Sequence, residues 1–405
     1  MKTKIAIAMA VLLSLFVSAC GSATSGSKSG GGSGETIKIA VVSPTSGSLA
    51  KTGTDAANAW KTAARLYNEK GGVLGRKIEL IQKDTDGDPS TTLQGVREAV
   101  TKGGAKFVGG VMTSPENAAV SAQAKGLGVV AMNAIGKDDV LRGKQCSPNQ
   151  INVVQSNSMS FKAIEQALKD MPGQKWAIQA VDFSTGHSAS EKFTEAIKAS
   201  GKEVVLQQYA PQGTTDFGPY ITNIKNSGAD AMLAVVYGSD REVLVQQMQQ
   251  FNLGSQVKTV VGSDTFVESL FPVMGDGIIG YYNNVGYDVN ADNAMNKEFV
   301  QAFIADHGNQ PEFIPADNYL AAQLLFGAIE KAGSTDTDKV LAALKGMKMD
   351  TIDGEVSIRP EDNQVLRNMY VGRVVKKNDK LAYEIISTTG PEVSTPQANP
   401  DCVMS

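Results

Sequence analysis

Past residue 36 the chain alternates short apolar runs with stretches of helical spacing. Residues 37–42, 78–82, 107–112 and 129–132 are apolar runs of strand length. Between the first two, Ala56, Ala59, Trp60, Ala63, Ala64 and Tyr67 recur at three-four spacing, which predicts a helix beginning after Thr54 and stopping at Gly71-Gly72. Asp88-Pro89 reads as a cap followed by proline in the first turn, opening a helix that runs to about Lys102. Ser114-Pro115 repeats the device after the third strand.

A second series begins after Gln155. Helices over 159–170, 188–200, 217–227 and 240–251 alternate with strands over 175–181, 203–208, 231–237 and 257–262. Helices over 293–307, 316–332 and 338–346 follow, and a hairpin-like tail groups 355–358 with 368–375 and 381–386. Strands that recur with helices between them need right-handed crossovers and a mostly parallel sheet covered on both faces. The pattern therefore predicts an α/β protein with two open, doubly wound sheets. A length of 405 residues accommodates two such units.

Composition narrows the function. A 42% hydrophobic, 20% charged chain with net charge -4 suits a soluble globular body and gives no argument for nucleic acid or a polybasic membrane surface. Two histidines, His187 and His307, and three cysteines leave no rich metal constellation. Lys2 and Lys4 precede an apolar run over 5–17 and then Ser18-Ala19-Cys20, the form of a secretory signal spanning 1–19. A cysteine directly after Val-Ser-Ala resembles a bacterial lipobox, with Cys20 lipidated. The Gly/Ser-rich stretch to residue 35 then serves as a flexible tether reaching roughly 20 Å. For an exported protein, Cys146 and Cys402 form an even pair outside the reducing cytosol. We expect them to be bridged, holding the C-terminal tail (391–405), and two free buried thiols are the alternative.

Motifs for chemistry mostly fail. Gly275-Asp276-Gly277-Ile278-Ile279-Gly280 has dinucleotide spacing but lacks the strand before and the helix after, so it reads as a turn before a strand. Asp84, Asp86 and Asp88 imitate a calcium loop, yet Pro89 and Gly95 stand where glycine and glutamate are required. No P-loop, metalloprotease or nucleophile-elbow motif is present, which argues against an enzyme and against any cofactor or metal. Ser114 stands at a helix start on the carboxyl edge of a sheet, where ligands of open α/β sheets bind. There it either helps receive an anion or caps its own helix. Asp264 follows a strand of the second series as a cation receiver or a turn cap, and Tyr237 ends the neighbouring strand with ring and phenol.

Several ordered blocks carry a family likeness: IAVVSPTSGSLAKTGTDAANA, NEKGGVLGRKIELIQKDTDGDP, FVGGVMTSPENAA, FGPYITNIKNSGADAMLAVVYGSDREVLVQQMQQFNL and ADNYLAAQLLFGAI. They resemble the branched-chain amino-acid binding proteins of ABC uptake systems, with the type I periplasmic-binding-protein fold. The resemblance implies two lobes joined by a three-strand hinge, 36–154 plus 287–365 and 155–286 plus 366–390. It implies a monomer that captures an amino acid and hands it to a membrane permease with its ATPase subunits, outside the cytoplasm on a lipid anchor. It implies Ser114 on the ligand carboxylate, Tyr237 and Asp264 on the α-ammonium, and further contacts from Thr113, Ile135, Thr185 and Ser46. Departures bear on the ligand. Lys137 replaces the small hydroxyl of the typical carboxylate site, either joining it or turning to solvent, and Thr52 and Thr185 stand where relatives often place tyrosines. The segment 142–148 with the late cysteine looks like a subgroup that includes carriers of aromatic acids. Alternatives are a carrier of another small carboxylate or amide, a ligand sensor, and an amide hydrolase, which lacks a nucleophile–base pair.

Overall fold

The computed structural model describes residues 35–404; the signal, Cys20 and nearly all of the tether lie outside the described residues. Five strands, β1 (Ile37–Pro44), β2 (Ile78–Thr85), β3 (Phe107–Gly109), β4 (Val130–Asn133) and β5 (Gln150–Asn152), form a parallel sheet in the order β2-β1-β3-β4-β5. Helices α1 (Ala50–Glu69), α2 (Pro89–Thr101) and α3 (Ser114–Leu127) link them.

The chain then passes to a second sheet through α4 (Asn157–Asp170), β6 (Lys175–Val181), α5 (Ser184–Ala199), β7 (Glu203–Ala210), α6 (Gly218–Asn226), β8 (Ala231–Val235), α7 (Asp240–Gln250), β9 (Thr259–Ser263), the short α8 (Phe271–Met274) and β10 (Tyr282–Val285). It returns with α9 (Ala294–His307), α10 (Phe313–Ala332) and α11 (Thr337–Leu344), which pack on the first sheet. A small sheet of β11 (Lys348–Thr351), β12 (Gly354–Ile358) and β13 (Val365–Leu366) follows. The antiparallel hairpin β14 (Met369–Lys377) and β15 (Lys380–Thr389) then completes the second sheet, ordered β15-β14-β10-β9-β8-β6-β7. Three segments therefore cross between the sheets: after β5, after β10 and after β13.

Each sheet buries both faces. Trp60, Phe299, Phe303, Tyr319 and Phe326 fill one side of the first sheet, with small aliphatics under α2 and α3 on the other. Phe217, Phe266 and Phe271 lie on one face of the second sheet, and Phe161, Trp176 and Phe193 on the opposite one. Helix α10 is buried nearly all round, and its Asn318 carboxamide oxygen accepts from the Trp60 indole at 3.0 Å.

The structure corrects several expected boundaries. Helix α1 starts at Ala50, a turn before Thr54, and α5 starts at Ser184, not Ser188. In both cases a glycine in the first turn reads as loop, yet packing demands it. A Cβ on Gly53 would come within 2.0 Å of the Pro44 carbonyl oxygen, and one on Gly186 within 2.0 Å of the Val181 carbonyl oxygen. Helix α10 starts at Phe313, before Pro315, because a first-turn proline gives up no helical hydrogen bond. Residues 355–358 do not join the tail hairpin; they pair with β11 and β13.

Buried polar groups bind the crossings together. The Arg142 guanidinium donates to Gln364 Oε1 at 2.7 Å, to the Gly136 and Asp138 carbonyls at 2.8 and 3.2 Å, and to the Val154 carbonyl at 2.6 Å. Burial pulls its pKa down to about 10. Arg367 donates to Asp317 and to the Gly286 carbonyl, and the Asp353 carboxylate stands 2.6 Å away. Cys146 and Cys402 are disulfide-bonded with Cα atoms 5.5 Å apart, and the Arg359 guanidinium holds the Pro396 carbonyl at 2.6 Å.

Candidate ligand-binding site

The carboxyl ends of both sheets face one another across a cavity of about 50 Å³. The first sheet's loops and α10 supply Leu49, Thr52, Met112, Thr113, Ser114, Ile135, Lys137, Phe313 and Ile314. Phe183, Tyr237 and Asp264 from loops of the second, and Thr185 and Arg241 from the first turns of α5 and α7, complete the lining. The two glycine-dependent helix starts deliver matching residues, Thr52 beside Gly53 and Thr185 beside Gly186, one from each side.

Thr113, not Ser114, caps α3. Its hydroxyl accepts from the Glu116 N–H at 3.3 Å, while its own N–H donates to Glu116 Oε2 at 2.7 Å, a complete capping box. This releases Ser114 from capping duty. Ser114 Oγ accepts from Thr185 Oγ1 at 2.6 Å and from the Asp138 N–H at 3.1 Å, so its own proton is the part left to offer. The Thr185 bond crosses the cavity.

A second bond across the cavity joins Lys137 Nζ to Asp264 Oδ2. Both side chains are only 3% exposed, so Lys137 does not turn to solvent. Its placement is built. Asn133 Oδ1 accepts from the Gly136 N–H at 2.7 Å and Asn133 Nδ2 donates to the Gly136 carbonyl at 2.9 Å, folding a tight turn after β4. The Lys137 carbonyl is held by the Asn157 N–H at 2.9 Å, and the ammonium lies 5.5 Å from the centroid of the Phe313 ring. Asp264 has φ of 55°, a left-handed conformation that aspartate tolerates, with its N–H on Asn284 Oδ1 at 3.0 Å.

Arg241 is buried, donates through Nε to the Val236 carbonyl at 3.3 Å and lies 5.9 Å from the centre of the Tyr237 ring. Burial lowers its pKa and the Asp264 carboxylate partly restores it. Burial also holds the Tyr237 phenol well above its ordinary range, helped by the same carboxylate. Tyr237 OH, Ser263 Oγ and Asp264 Oδ1 are buried without a hydrogen-bond partner of good geometry, although the phenol and Ser263 lie side by side. Such orphans are costly unless a ligand or water serves them.

The structure thus gathers Thr113, Ser114, Ile135, Lys137, Thr185, Tyr237 and Asp264 around one cavity. Ser46 is exposed outside it; from the same loop Leu49 and Thr52 reach the cavity, and the Ser48 carbonyl accepts from the Ser239 N–H at 3.2 Å. Arg241, Phe183, Phe313 and Ile314 were not anticipated. Thr113-x-x-Glu116, a capping-box signature, was the readable sign that Ser114 is free.

Two facing α/β sheets with a polar-tipped cavity between them define a two-lobed small-molecule binding protein. The chain belongs to the periplasmic binding protein family, whose model matches residues 36–380. It is a substrate-binding protein of ABC transporters, a class that acts outside the cytoplasm and is not enzymatic. It is 27% identical over 360 residues to "Leu/Ile/Val-binding protein homolog 6" of Brucella suis biovar 1 (strain 1330), covering 86% of this chain and 90% of that protein. It is 27% identical, with a TM-score of 0.82, to a solute-binding protein of an ABC transporter from Rhodopseudomonas palustris BisB5 solved with 3,4-dihydroxybenzoic acid. That likeness covers 88% of this chain and 98% of the other. The closed leucine-, isoleucine-, valine-, threonine- and alanine-binding protein of Brucella ovis shares the fold, with TM-score 0.79 and 20% identity over 92% of this chain and all of that one.

Proposed function

We propose that this protein captures a small monocarboxylic acid, with an apolar, aromatic-sized body, and delivers it to an ABC import permease. The observation that carries the reading is the charge inside the cavity. Lys137 and Arg241 line the cavity with one lining carboxylate, Asp264, while the Glu312 carboxylate outside the lining also acts on Arg241. A monoanionic ligand entering the cavity meets two cations and one carboxylate in its lining, a balance that favours it over a cation. The α3 N-terminus, with the free Ser114 proton, receives the carboxylate. Phe183, Tyr237, Phe313, Ile135 and Ile314 take the body, and the unpartnered Tyr237 and Asp264 oxygens accept or donate to a hydroxyl at the far end. The Rhodopseudomonas palustris relative, solved with 3,4-dihydroxybenzoic acid, supports an aromatic acid.

In this reading the lobes 36–154 plus 287–365 and 155–286 plus 366–390 close on the ligand, and closure is the state the permease reads. The protein works as a monomer, lipidated at Cys20 and held by the tether that follows. An amino acid is the second reading. It is favoured by the Brucella suis relative's name and by Asp264 Oδ1, still free for an ammonium.

Thermal shift against benzoate, 4-hydroxybenzoate, 3,4-dihydroxybenzoate, leucine, isoleucine and valine separates the two. Ligand at about 100 times its Kd stabilises by about 2.7 kcal/mol, a clear rise in Tm. A rise with the acids alone supports the proposal, and a rise with the aliphatic amino acids alone replaces it by the second reading.

A further inference from the structure

We infer that Lys137 sets the ligand class: its ammonium stands at Asp264 in place of a ligand ammonium, so the site excludes zwitterionic amino acids and takes acids that lack an amine. The inference rests on the cavity being a carboxylate site. It adds which residue makes the choice, and how.

Three observations place the lysine in this role. It is buried in the cavity wall and bonded to the carboxylate best placed to receive a ligand's ammonium. Its backbone is fixed on both sides, by the Asn133 turn before it and the Asn157 N–H on its carbonyl, so the side chain is aimed rather than strayed. The space around Asp264 is already shared among Lys137, Phe313, Arg241 and Tyr237. An incoming ammonium would find Asp264 Oδ2 taken by Lys137 and only Oδ1 open, and would stand as a further cation beside the lysine and Arg241 on one carboxylate. The cost falls on the amino acid and not on its deaminated counterpart, which is how a site discriminates by repulsion. The same pair joins the two sides of the cavity, so an intramolecular cation supplies the cross-cleft contact that an amino acid's ammonium would otherwise make.

The test is calorimetric titration of the purified protein with matched pairs that differ only by the ammonium: 4-methylpentanoate with leucine, and 3-phenylpropanoate with phenylalanine. Wild type should bind the acid of at least one pair about tenfold or more tightly than its amino acid. Lys137→Met should reverse that preference, because Asp264 is then free. The double variant Lys137→Met/Asp264→Asn keeps the site without net change in charge and should fold as wild type. It should bind both members of a pair within about threefold. Acid binding by wild type with an unchanged acid-to-amino-acid ratio in both variants overturns the inference while the carboxylate reading stands. A wild type that prefers the amino acids overturns both. Should the single variant fail to fold, an undiminished ratio in the double variant is by itself enough to overturn the role of Lys137.

Discussion

Arg367 at the crossing segments and Lys137 in the cavity are both buried cations on carboxylates, yet their partners differ in kind. The Arg367 contacts Asp317, Asp353 and the Gly286 carbonyl lie on α10, on the β11–β12 turn and on the crossing after β10, gathered where the chain passes between the sheets. The Lys137 contact runs from a loop of the first sheet to a loop of the second. One pair is tied at the crossing segments and the other is made across the cavity. Burial alone does not separate structural from functional charge. What separates them is whether the partners can part.

The largest effect that would break this contrast is at Arg367. Replacing it with methionine strands two buried carboxylates and should cost about 3–5 kcal/mol, read as a fall in denaturant midpoint with or without ligand. Asp264→Asn should be milder in the unliganded protein, because an opened cavity lets water reach the unpaired Lys137. We expect less than about half the Arg367 loss in the same titration. Equal losses would mean that the cavity pair is also a permanent strut, and the contrast would fall.

That contrast was only half legible in the sequence. Alternating apolar runs gave the two sheets, because strand and helix periods are local properties. The strand-end positions of Ser114, Tyr237 and Asp264 placed them at one edge for the same reason. Arg241 was not readable. A charged residue in the first turn of α7 looks like a solvated surface group, and only the fold turns it inward. Phe313 and Ile314 were hidden because Pro315 masked the start of α10. Ser46 shows the reverse failure, since its loop reaches the cavity but a turn later, at Leu49 and Thr52. The partner of Lys137 lies 127 positions away on the other sheet, a distance over which no local pattern acts.

The smallest effect, and the sharpest on mechanism, concerns protons at the hinge. Two carboxylates share one guanidinium there, and Asp317 Oδ2, Asp353 Oδ2 and Arg367 Nε lack hydrogen-bond partners of good geometry. Burial, with a smaller push from Asp353, drives the Asp317 carboxyl up to about 7 against the pull of Arg367, and burial raises Asp353 too. An unfolded aspartate titrates near about 3.9. From there to about 7 the folded protein holds a proton that the unfolded chain has released, so this group's contribution to stability is lost as pH rises through that window. Glu268, Asp139 and Asp240 are raised by burial as well and act with the same sign. The carboxylates held low at the surface, Asp84 and Asp88 among them, act in the opposite sense and only at more acid pH. Between pH 5 and 8, therefore, Asp317→Asn should flatten the fall of Tm with pH relative to wild type. It should also leave the acid-to-amino-acid ratio of the cavity unaltered. Identical slopes would show that the hinge carboxylates are both charged throughout. A changed ligand ratio would show that the hinge and cavity pairs are coupled through α10, which carries Asp317 near one end of the helix that begins at Phe313.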